Sequence, residues 1–500
     1  MKIFTIKFVF TFCIILIGLT SYATIWQVGS AQTYTLPSAV KNLVNDGDTI
    51  YIDGGIYSND AVKWIKKNLK FIGLGTSGNP TVMQNTGDIA NGKGIWVFEQ
   101  PGVSDNAYIE NITFDGAQVS DGNGGNGAGI RYQSANLTIK NCIFKNCQNG
   151  ILEGGSYSGS NVIIEDSEFD NNGYAGSDGS LFGYEHHIYI SANTDTLIVR
   201  NCYFHDIRGE GNSLKTRAQR NYILYNLIDE AAGYGSWELN LAQGGLCVVV
   251  GNVIIQGTSG ANHGIISLDA ATNPIQELYF TNNTIINKYA GNARFMSTIP
   301  STGVNVFKFY NNIFASAPGA SNTIFATNIP AVIDTSKNIL ITDYATYGFV
   351  NTAANNFNLL SSASSAIDKG TACGSASTGY SLTPAFMYDS NLTPLSARSI
   401  IGSAIDIGAY EYNPGVGIAE NNEEKIFVYN DYTQHQIIIS FPANSGSAEI
   451  VIFDITGNKV KAFSNADSHF NWNYDGLSKG MYFITLNSGV NSLAKKFLVN

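Results

Sequence analysis

The chain is 500 residues long and carries a formal net charge of −11 at pH 7. This acidic balance argues against a general nucleic-acid-binding protein, which would show a basic excess, so we expect no nucleic-acid partner. Only 13% of the residues are charged and 44% are apolar, which argues against a disordered chain and favours a sheet-rich protein with many tight turns.

Residues 1–23 predict a secretory signal peptide. Lys2 and Lys7 form its basic start, residues 8–19 form its apolar run, and Ser21-Tyr22-Ala23 supplies a small-residue cleavage site. The apolar run is too short to span a bilayer, and no later segment is long and apolar enough to do so. We therefore expect an exported, monomeric protein without a transmembrane segment.

The segment after the signal peptide predicts a cap for one end of a fold built from stacked coils. A Gly-Asp turn at residues 47–48 leads into an alternating strand over residues 49–52. A short amphipathic helix before this turn would cover the core and the backbone groups that the end of a β-solenoid otherwise exposes. Its apolar face would consist of Ala39, Val40, Leu43 and Val44.

A short phrase recurs along residues 108–314: alternating apolar residues, then Asn or Asp, two further residues, and Phe or Ile. Subtraction of the anchor positions gives steps of 25 to 35 residues, a period that indicates a solenoid. The alternation within each copy makes it a β-solenoid rather than a helical one. The clear anchors are Asn111, Asn141, Asp166 and Asn201, and the weaker ones are Asn226, Asn252, Asn283 and Asn311.

Together, the cap segment and the repeat resemble the right-handed parallel β-helix proteins of the pectate-lyase type, over roughly residues 30–412. The resemblance implies an all-β fold, a right-handed parallel β-helix domain over residues 24–412 with an N-terminal cap helix. The phrases at residues 365–370 and 404–412 resemble the terminal segment of secreted bacterial β-helix proteins. We expect the last coils and a C-terminal cover there.

A second domain is expected after a linker over residues 413–424, which is marked by its Pro, Gly and charge content. Residues 425–500 contain several short strands of antiparallel type. The phrases at 453–460, 477–482 and 495–499 resemble the sorting domain that the type IX secretion system reads. The resemblance implies a small β-sandwich, the type IX secretion machinery as a partner, and a protein secreted or anchored on the outer-membrane surface of a Gram-negative bacterium. An ordinary β-sandwich binding module is the alternative.

A column of polar side chains is predicted on one outer face of the solenoid, because alternate strand residues point outward and equivalent residues of successive coils stack about 4.8 Å apart. With Ile188, Leu214 and Leu239 facing inward, His187 would lie beside Ser213, Tyr189 beside Lys215 and Glu238, and Arg217 beside Asn240. The other residues expected to bind substrate at this face are His186, Arg208, Arg220 and Arg131. In a chain so poor in charge, a local basic groove favours an anionic ligand.

The chemistry that fits this set is β-elimination on a uronate-containing polysaccharide. Lys215 would be the base, its pKa lowered by a neighbouring cation, and Arg217 would pair with the substrate carboxylate. Tyr189 or His187 would protonate the leaving oxygen. The set resembles the Lys/Arg pairs of β-helix lyases that act on alginate, pectate or glycosaminoglycans. It lacks the outward Asp cluster of the pectate-lyase calcium site, so no metal ligands are assigned, no cofactor is implied, and a need for Ca²⁺ is left open.

Four alternatives remain at this stage. A β-helix glycoside hydrolase would need two placed carboxylates, and the paired Asp motif of the polygalacturonases is missing. A uronate C5-epimerase would share the proton abstraction with a lyase. A non-catalytic, glycan-binding adhesin would rely on aromatic platforms, or the polar column could serve only to keep a sheet face soluble.

Overall fold

The computed structural model describes the chain from residue 23 to residue 499, with several short gaps. The predicted signal peptide lies outside the described residues except for Ala23, and so does the predicted linker except for Asn413. The chain divides into two compact units, Met1–Pro414 and Gly415–Asn500. The gaps are residues 100, 101, 103, 104, 155, 156, 175, 177–181, 261, 263, 292, 293, 299–302, 321, 322, 326–332, 389–394, 414–426, 432–435, 441–447, 466–468, 489 and 490.

In the first unit, three parallel sheets run along a solenoid of about ten turns, so the predicted all-β parallel β-helix is confirmed. One coil passes from a strand of sheet C to one of sheet A and then to one of sheet B. Sheet A consists of Ile25–Val28, Thr49–Ile52, Lys70–Gly73, Asn106–Glu110, Asn136–Lys140, Ser160–Glu165, Thr194–Arg200, Arg220–Leu224, Leu246–Val250, Glu277–Thr281, Val306–Tyr310 and Asp334–Ser336.

Sheets B and C complete the three faces of the solenoid. Sheet B consists of Gly55–Ser58, Thr81–Gln84, Thr113–Asp115, Ile143–Lys145, Glu168–Asp170, Tyr203–His205, Leu227–Glu230, Val253–Gln256, Thr284–Asn287, Ile313–Ser316 and Ile339–Ile341. Sheet C consists of Val62–Trp64, Gly94–Phe98, Ala128–Tyr132, Asn149–Glu153, Ile188–Ile190, Leu214–Thr216, Leu239–Leu241, Gly264–Ser267, Arg294–Thr298 and Thr323–Phe325.

The repeated Asn or Asp turns the chain sharply from sheet A to sheet B. Asn111, Asn141, Asp166 and Asn201 have φ values of 57°, 48°, 51° and 52°, in the left-handed region that Asn and Asp tolerate better than other non-glycine residues. In the later coils this place is taken by residues such as Tyr225, Gly251 and Asn282. The weaker anchors Asn226, Asn252 and Asn283 therefore lie one position beyond the turn, so the predicted equivalence is off by one residue there.

These three later Asn residues form a buried ladder inside the solenoid. The backbone N–H and the Nδ2 of Asn226 both donate to Asn252 Oδ1, at 2.9 Å each, and Asn252 repeats the pattern with Asn283. Cys142 and Cys202 occupy the same column in earlier coils, as stacked small residues. Among the described cysteines all five are free and buried, so a Cys142–Cys147 disulfide is absent.

Aromatic rings stack along the interior behind sheet B. The centroids of Phe114, Phe144, Phe169 and Phe204 follow one another at 5.1, 5.0 and 4.8 Å, with nearly parallel planes. Each is the inward residue of a three-residue strand, and all four are fully buried. The recurring Phe of the sequence phrase is therefore the core residue of each coil.

The predicted cap helix is not formed. Pro37–Val40 makes a single turn of 3₁₀ helix, and although Val40 and Val44 are buried, Leu43 is exposed. The chain continues past Val40 as a turn, in which the N–H groups of Leu43 and Val44 both donate to the Val40 carbonyl, and the buried Asp48 carboxylate accepts the backbone N–H groups of Thr24 and Asn45.

Residues 344–412 pack against the outside of sheets A and B, which is how the expected C-terminal cover is built. On sheet B, Ile255 and Ile286 are buried with Phe357 and Ile407; on sheet A, Val248 is buried among residues that include Leu382. The apolar clusters beneath this segment contain no residue of sheet C in the described structure. Its short elements are Phe349–Asn351, Thr352–Ala354, Asn356–Leu359, Phe386–Met387 and Ser396–Ala397, and a further 3₁₀ turn lies at Asp121–Asn123.

The second unit is formed by two small antiparallel sheets. Ile437 of the first sheet is buried in one cluster with Ile450, Ile452 and Ile484 of the second, so the two sheets share a core. The first sheet contains Phe427–Asp431, Gln436–Ser440 and His469–Asn473; the second contains Lys459–Asn465, Ala448–Asp454, Gly480–Ser488 and Asn491–Val499.

Candidate active site

The outer face of sheet C carries the predicted polar column in its central coils. Strand pairing places Tyr189 beside Lys215 and Lys215 beside Asn240, while Arg131 lies two strands before Tyr189 with Leu152 between them. Inward-facing Ile188 and Leu214 are fully buried, so the side chains next to them in sequence must point outward. The outward phase that the sequence predicts for Tyr189 and Lys215 is therefore correct.

Two cations lie over one aromatic ring at this face. Lys215 Nζ is 5.7 Å from the ring centroid of Tyr189, and Arg217 Cζ is 5.4 Å from it. Both distances allow cation–π attraction. Neither side chain forms an ion pair or a hydrogen bond with another described residue. By contrast, Arg200 on sheet A pairs with Glu165 at 2.5 Å.

The surroundings shift the pKa values of Lys215 and Tyr189 in directions that suit a base and an acid. Partial burial, together with the nearby Arg217 guanidinium, lowers the pKa of Lys215, which favours its neutral, basic form. Burial raises the pKa of Tyr189, although Arg217 opposes the rise, and the phenol therefore keeps its proton at neutral pH. The face thus joins a lysine whose ammonium loses its proton more readily than usual to a phenol that keeps its proton.

His186 joins the cluster from the loop that leads into the strand Ile188–Ile190. Its ring is stacked with Tyr189 at 5.8 Å between centroids and 15° between planes, and its side chain is only 2% exposed. Burial, followed by the nearby Lys215, holds the pKa of His186 well below its usual range. The imidazole is therefore neutral.

His187 does not lie on the outer face, and its predicted place in the outward column is wrong. The side chain is fully buried between the core rings of Phe169 and Phe204, and Nε2 is 3.3 Å from Glu230 Oε1. Alternation holds only within a strand, and the strand begins at Ile188, so the corner before it turns His187 inward. A buried His187 cannot protonate a leaving group in the groove.

The predicted neighbours of Lys215 and Arg217 on the next coil are shifted by two residues. Asn240, not Glu238, lies beside Lys215, and Glu238 falls at the level of Ser213. Glu238 is 2% exposed, and burial raises its pKa well above the usual value, so it does not pair with Lys215. A shift of two residues leaves the inward and outward phase unchanged, so hydrophobic alternation could not detect it.

Two further predicted ligands are engaged elsewhere. Arg208 lies in the loop between sheets B and C, where its NH2 donates to the backbone carbonyls of Cys147 and Gly173 at 3.2 Å each. Arg220 begins a strand of sheet A and forms an ion pair with Asp195. The structure therefore does not bring Arg220 to the sheet C face, and Arg208 holds loop backbone together.

Asp269 is a groove residue that the sequence reasoning missed. It follows the strand Gly264–Ser267, accepts a hydrogen bond from Asn240 Nδ2 at 2.8 Å and another from the Ser267 hydroxyl, and is exposed. Its charge acts on Lys215 and partly opposes the lowering of that pKa. Because Asn240 itself is fully buried, its role is to orient Asp269. Alignment of one further coil could have found this carboxylate.

Glu185, also missed, lies directly before His186 in the loop that leads into the strand Ile188–Ile190. The side chain is fully buried, and neither carboxyl oxygen has a hydrogen-bond partner among the described residues. Burial, with a smaller contribution from Asp121, raises the pKa of Glu185 to about 8. The loop therefore holds a protonated carboxyl at neutral pH.

One group with metal-ligand geometry occurs among the described residues, and it lies on sheet B. Asp170, His205 and Asp206 place potential ligand atoms within 4.8 Å of one another. His205 already donates or accepts through both ring nitrogens, to Asp206 at 2.7 Å and Glu168 at 3.0 Å. This group is on another face from Lys215, so it supplies no cation to the groove.

An aromatic rim lies on the loops that lead into sheet C. Tyr174 packs against Phe182 at 5.4 Å, and Phe182 lies 6.3 Å from Tyr234. Phe182, Tyr234 and the neighbouring Tyr184 are 37%, 45% and 70% exposed. Exposed aromatic faces of this kind can stack on sugar rings.

Comparisons with known proteins bear on the two units separately. Residues 70–291 match the family described as right handed beta helix region, and residues 431–500 match the secretion system C-terminal sorting domain. No curated protein matches this chain in sequence. In the described part of the chain, no helix is long and apolar enough to cross a membrane.

Three solved structures resemble the chain in fold. Pectate lyase Pel9A has a TM-score of 0.45 at 15% identity, covering 79% of this chain and 98% of its own. Tailspike protein gp49 of Acinetobacter baumannii bacteriophage Fri1, a capsular polysaccharide depolymerase, has a TM-score of 0.39 at 9% identity, with coverages of 95% and 78%. The pectin methylesterase of Aspergillus niger has a TM-score of 0.32 at 12% identity, with coverages of 63% and 93%.

These likenesses concern the fold alone, whereas the sorting domain concerns the fate of the chain. A sorting domain of this family directs export through the type IX secretion system, so the protein is secreted or attached to the cell surface. The chain is a right-handed parallel β-helix protein with a C-terminal type IX sorting domain.

Proposed function

We propose that this protein is a polysaccharide lyase that cleaves an acidic, uronate-containing polysaccharide by β-elimination. The observation that carries the proposal is the pair of half-buried cations, Lys215 and Arg217, that lie over Tyr189 without an acidic partner among the described residues. Unpaired cations on a partly desolvated face attract an anion strongly. A polymer whose every charged sugar carries a carboxylate supplies that anion.

The reaction needs a base, a carboxylate clamp and an acid. Neutral Lys215 takes the proton from the carbon next to the uronate carboxylate, and the electron pair left behind forms a carbon–carbon double bond as the bond to the glycosidic oxygen breaks. Arg217 pairs with the carboxylate and stabilises the charge that develops on it. The Tyr189 hydroxyl donates its proton to the leaving oxygen, and the Tyr189 phenolate then regains a proton from the Lys215 ammonium through solvent, which restores both groups.

Arg131 extends the cationic face toward earlier coils. Its Nε is buried without a hydrogen-bond partner in the described structure, and its strand lies three strands before that of Lys215. At about 4.8 Å per strand, this separation is about 14 Å. A polymer lying along the solenoid axis would therefore present a second carboxylate to Arg131.

The test is ultraviolet absorbance of unsaturated uronate during incubation with alginate, pectate, heparin and chondroitin sulfate, with and without a chelator. Wild type should produce absorbance on one polymer, and Lys215→Ala should lower the rate by about 10²–10⁴-fold. Arg217→Ala should lower it as well. Arg200→Ala is the matched control, because this cation lies on sheet A in an ion pair, and its rate should equal that of wild type.

Other outcomes of this experiment would support one of the alternative functions or remove Lys215 from the mechanism. No absorbance on any polymer, with deuterium from solvent incorporated into the uronate, would indicate the C5-epimerase instead. New reducing ends without absorbance would indicate a hydrolase. Equal rates for Lys215→Ala and wild type would remove Lys215 from the reaction.

A glycan-binding protein without turnover is the second candidate, and the exposed aromatic rim of Phe182, Tyr184 and Tyr234 favours it. In that case a polysaccharide gel should retain the protein unchanged. Tyr234→Ala should then weaken retention, while Lys215→Ala should matter less than it does for a lyase.

A further inference from the structure

His186 is held in place by hydrogen bonds at its backbone and at the Nδ1 atom of its ring. The backbone N–H of Asn212 donates a hydrogen bond to Nδ1 at 2.9 Å. The backbone N–H of His186 itself donates to Asn149 Oδ1 at 3.0 Å, and the ring lies flat against Tyr189. The imidazole is thus fixed in position by the coils on either side and by the strand that follows it.

The bond from Asn212 determines the tautomer. A backbone amide can only donate, so Nδ1 must present its lone pair, and the single proton of the neutral ring must be on Nε2. A second proton is disfavoured, because burial and the charges of Lys215, His187 and Arg217 all hold the pKa of His186 well below its usual range. His186 is therefore a hydrogen-bond donor at Nε2 and cannot serve as a base there.

Nε2 has no acceptor among the described residues, and it is not one of the unpartnered polar atoms that the protein shields fully from solvent. It is therefore the polar atom of this buried ring that keeps some contact with solvent and that a ligand could reach. Its surroundings are the cations of the site, Lys215 and Arg217, rather than acceptors supplied by the protein. The missing acceptor is one that a ligand must bring.

We propose that His186 is a substrate-contacting residue that donates a hydrogen bond from Nε2 to a carboxylate oxygen of the bound acidic sugar. This inference rests on the proposed function, because it assumes that the ligand of the groove is a uronate. A neutral donor adds a hydrogen bond to the carboxylate beside Arg217 without adding a third charge next to Lys215. An imidazolium at this place would instead repel both cations.

Two substitutions separate the donor from the internal contact. His186→Gln places an amide at the level of Nε2 and can still donate into the groove, whereas His186→Asn places its amide oxygen at the level of Nδ1. The Asn variant can thus keep the bond from Asn212 while losing the donor. Binding of oligogalacturonate, oligomannuronate and oligoguluronate is measured by calorimetry, with neutral galactose oligomers as control.

The Asn variant should bind the preferred acidic oligomer about ten- to a hundredfold more weakly than wild type, as expected for a lost hydrogen bond to a charged group. The Gln variant should lose much less, and binding of the neutral control should not change. Equal binding by the Asn and Gln variants, or no binding of any acidic oligomer to wild type, would overturn the inference. Thermal unfolding of both variants shows whether they fold.

A spectroscopic measurement on the wild-type protein does not depend on turnover and needs the Gln variant only to assign the His186 signal. The chain has six histidines, and ¹⁵N labelling of their rings reports the protonation of each nitrogen. The signal of His186, identified by its loss in the Gln variant, should remain that of a neutral Nε2–H ring from pH 5 to pH 8. Titration to a cation near the ordinary value of about 6.5, or a proton on Nδ1, would contradict the proposal. Oligomer binding with the expected tautomer but no ultraviolet product would sink the lyase reaction and leave this inference standing.

Discussion

The segment that covers sheets A and B and the outer face of sheet C each hold a buried or partly buried cation. The two cations differ in whether they have hydrogen-bond partners among the described residues. Within the segment that covers sheets A and B, Arg398 donates from Nε to Glu411 at 2.9 Å and from its other nitrogens to the carbonyls of Gly408 and Asp406. On sheet C, Lys215 has no partner among the described residues. A buried cation with hydrogen-bond partners, such as Arg398, stabilises the fold. A cation without partners in the described part of the chain, such as Lys215, is available to a ligand.

The covered face also explains why only one side of the solenoid is suited to a groove. Covering residues bury apolar side chains of sheets A and B, and Asn282 Nδ2 donates to Asp406 while the N–H of Gly408 donates to Asn311. In the central coils sheet C carries polar outward residues instead. A ligand can therefore approach the outer face of sheet C along several coils.

The largest expected effect comes from Arg398→Ala. Removal of the guanidinium leaves the Glu411 carboxylate buried and unpaired, which should lower the free energy of opening of the covering segment by about 3–5 kcal/mol. Native-state hydrogen exchange over residues 344–412 measures this opening. Lys369→Ala, an exposed position in the same segment, is the control and should change little. Equal protection in both variants would mean that the cover does not depend on the Arg398–Glu411 pair.

A pH effect of intermediate size is expected on the outer face of sheet B, from His205. Burial lowers the pKa of His205, but hydrogen bonds to Glu168 and Asp206 outweigh it and raise the pKa to about 9. Because this exceeds the unfolded value of about 6.5, the stabilisation is complete below pH 6.5 and is lost as pH rises from there to about 9.

His205→Gln should remove this dependence, as seen in denaturant unfolding midpoints between pH 6 and pH 9.5. Glu168→Gln should weaken it, because one of the two bonds to the imidazolium is lost. A wild-type profile that stays flat across this window, or one that His205→Gln leaves unchanged, would contradict the assignment.

The smallest expected effect sharpens the contrast with Arg398. Lys215→Met removes an unpaired, partly buried charge and keeps the apolar stem of the side chain, so it should raise the free energy of unfolding by about 0.5–2 kcal/mol. The same variant should lose turnover. Denaturant unfolding of wild type and Lys215→Met measures the gain, with Arg200→Met as the control for loss of a paired cation. A destabilised Lys215→Met would show that the ammonium has a structural partner.

Much of the architecture follows from local rules that a single sequence displays. The one-residue turn between sheets A and B needs a left-handed residue, so Asn or Asp marks Asn111, Asn141, Asp166 and Asn201. The Phe that recurs behind sheet B marks the core. Within a strand, alternation correctly places Tyr189 and Lys215 on the outside.

Other features depend on contacts between segments that are distant in sequence. The inward turn of His187 depends on where a strand begins, and the two-residue shift of Glu238 leaves every hydrophobic position unchanged. The pairing of Arg220 with Asp195 across neighbouring strands of sheet A could not be read from its nearness to Lys215 in sequence. Local periodicity carries no information about such choices.

The sequence by itself therefore determined the solenoid, its period, the sorting domain and the outward phase of the Tyr189–Lys215 column, because each depends on residues a few positions apart. Only the tertiary structure decided that Asn240 and Asp269 lie beside that column and which tautomer His186 adopts. It also decided which outer faces of the solenoid the segment after the last coils covers. These features depend on strand register and on contacts between distant parts of the chain. One such contact is the hydrogen bond from Asn282 to Asp406, which are 124 residues apart in sequence.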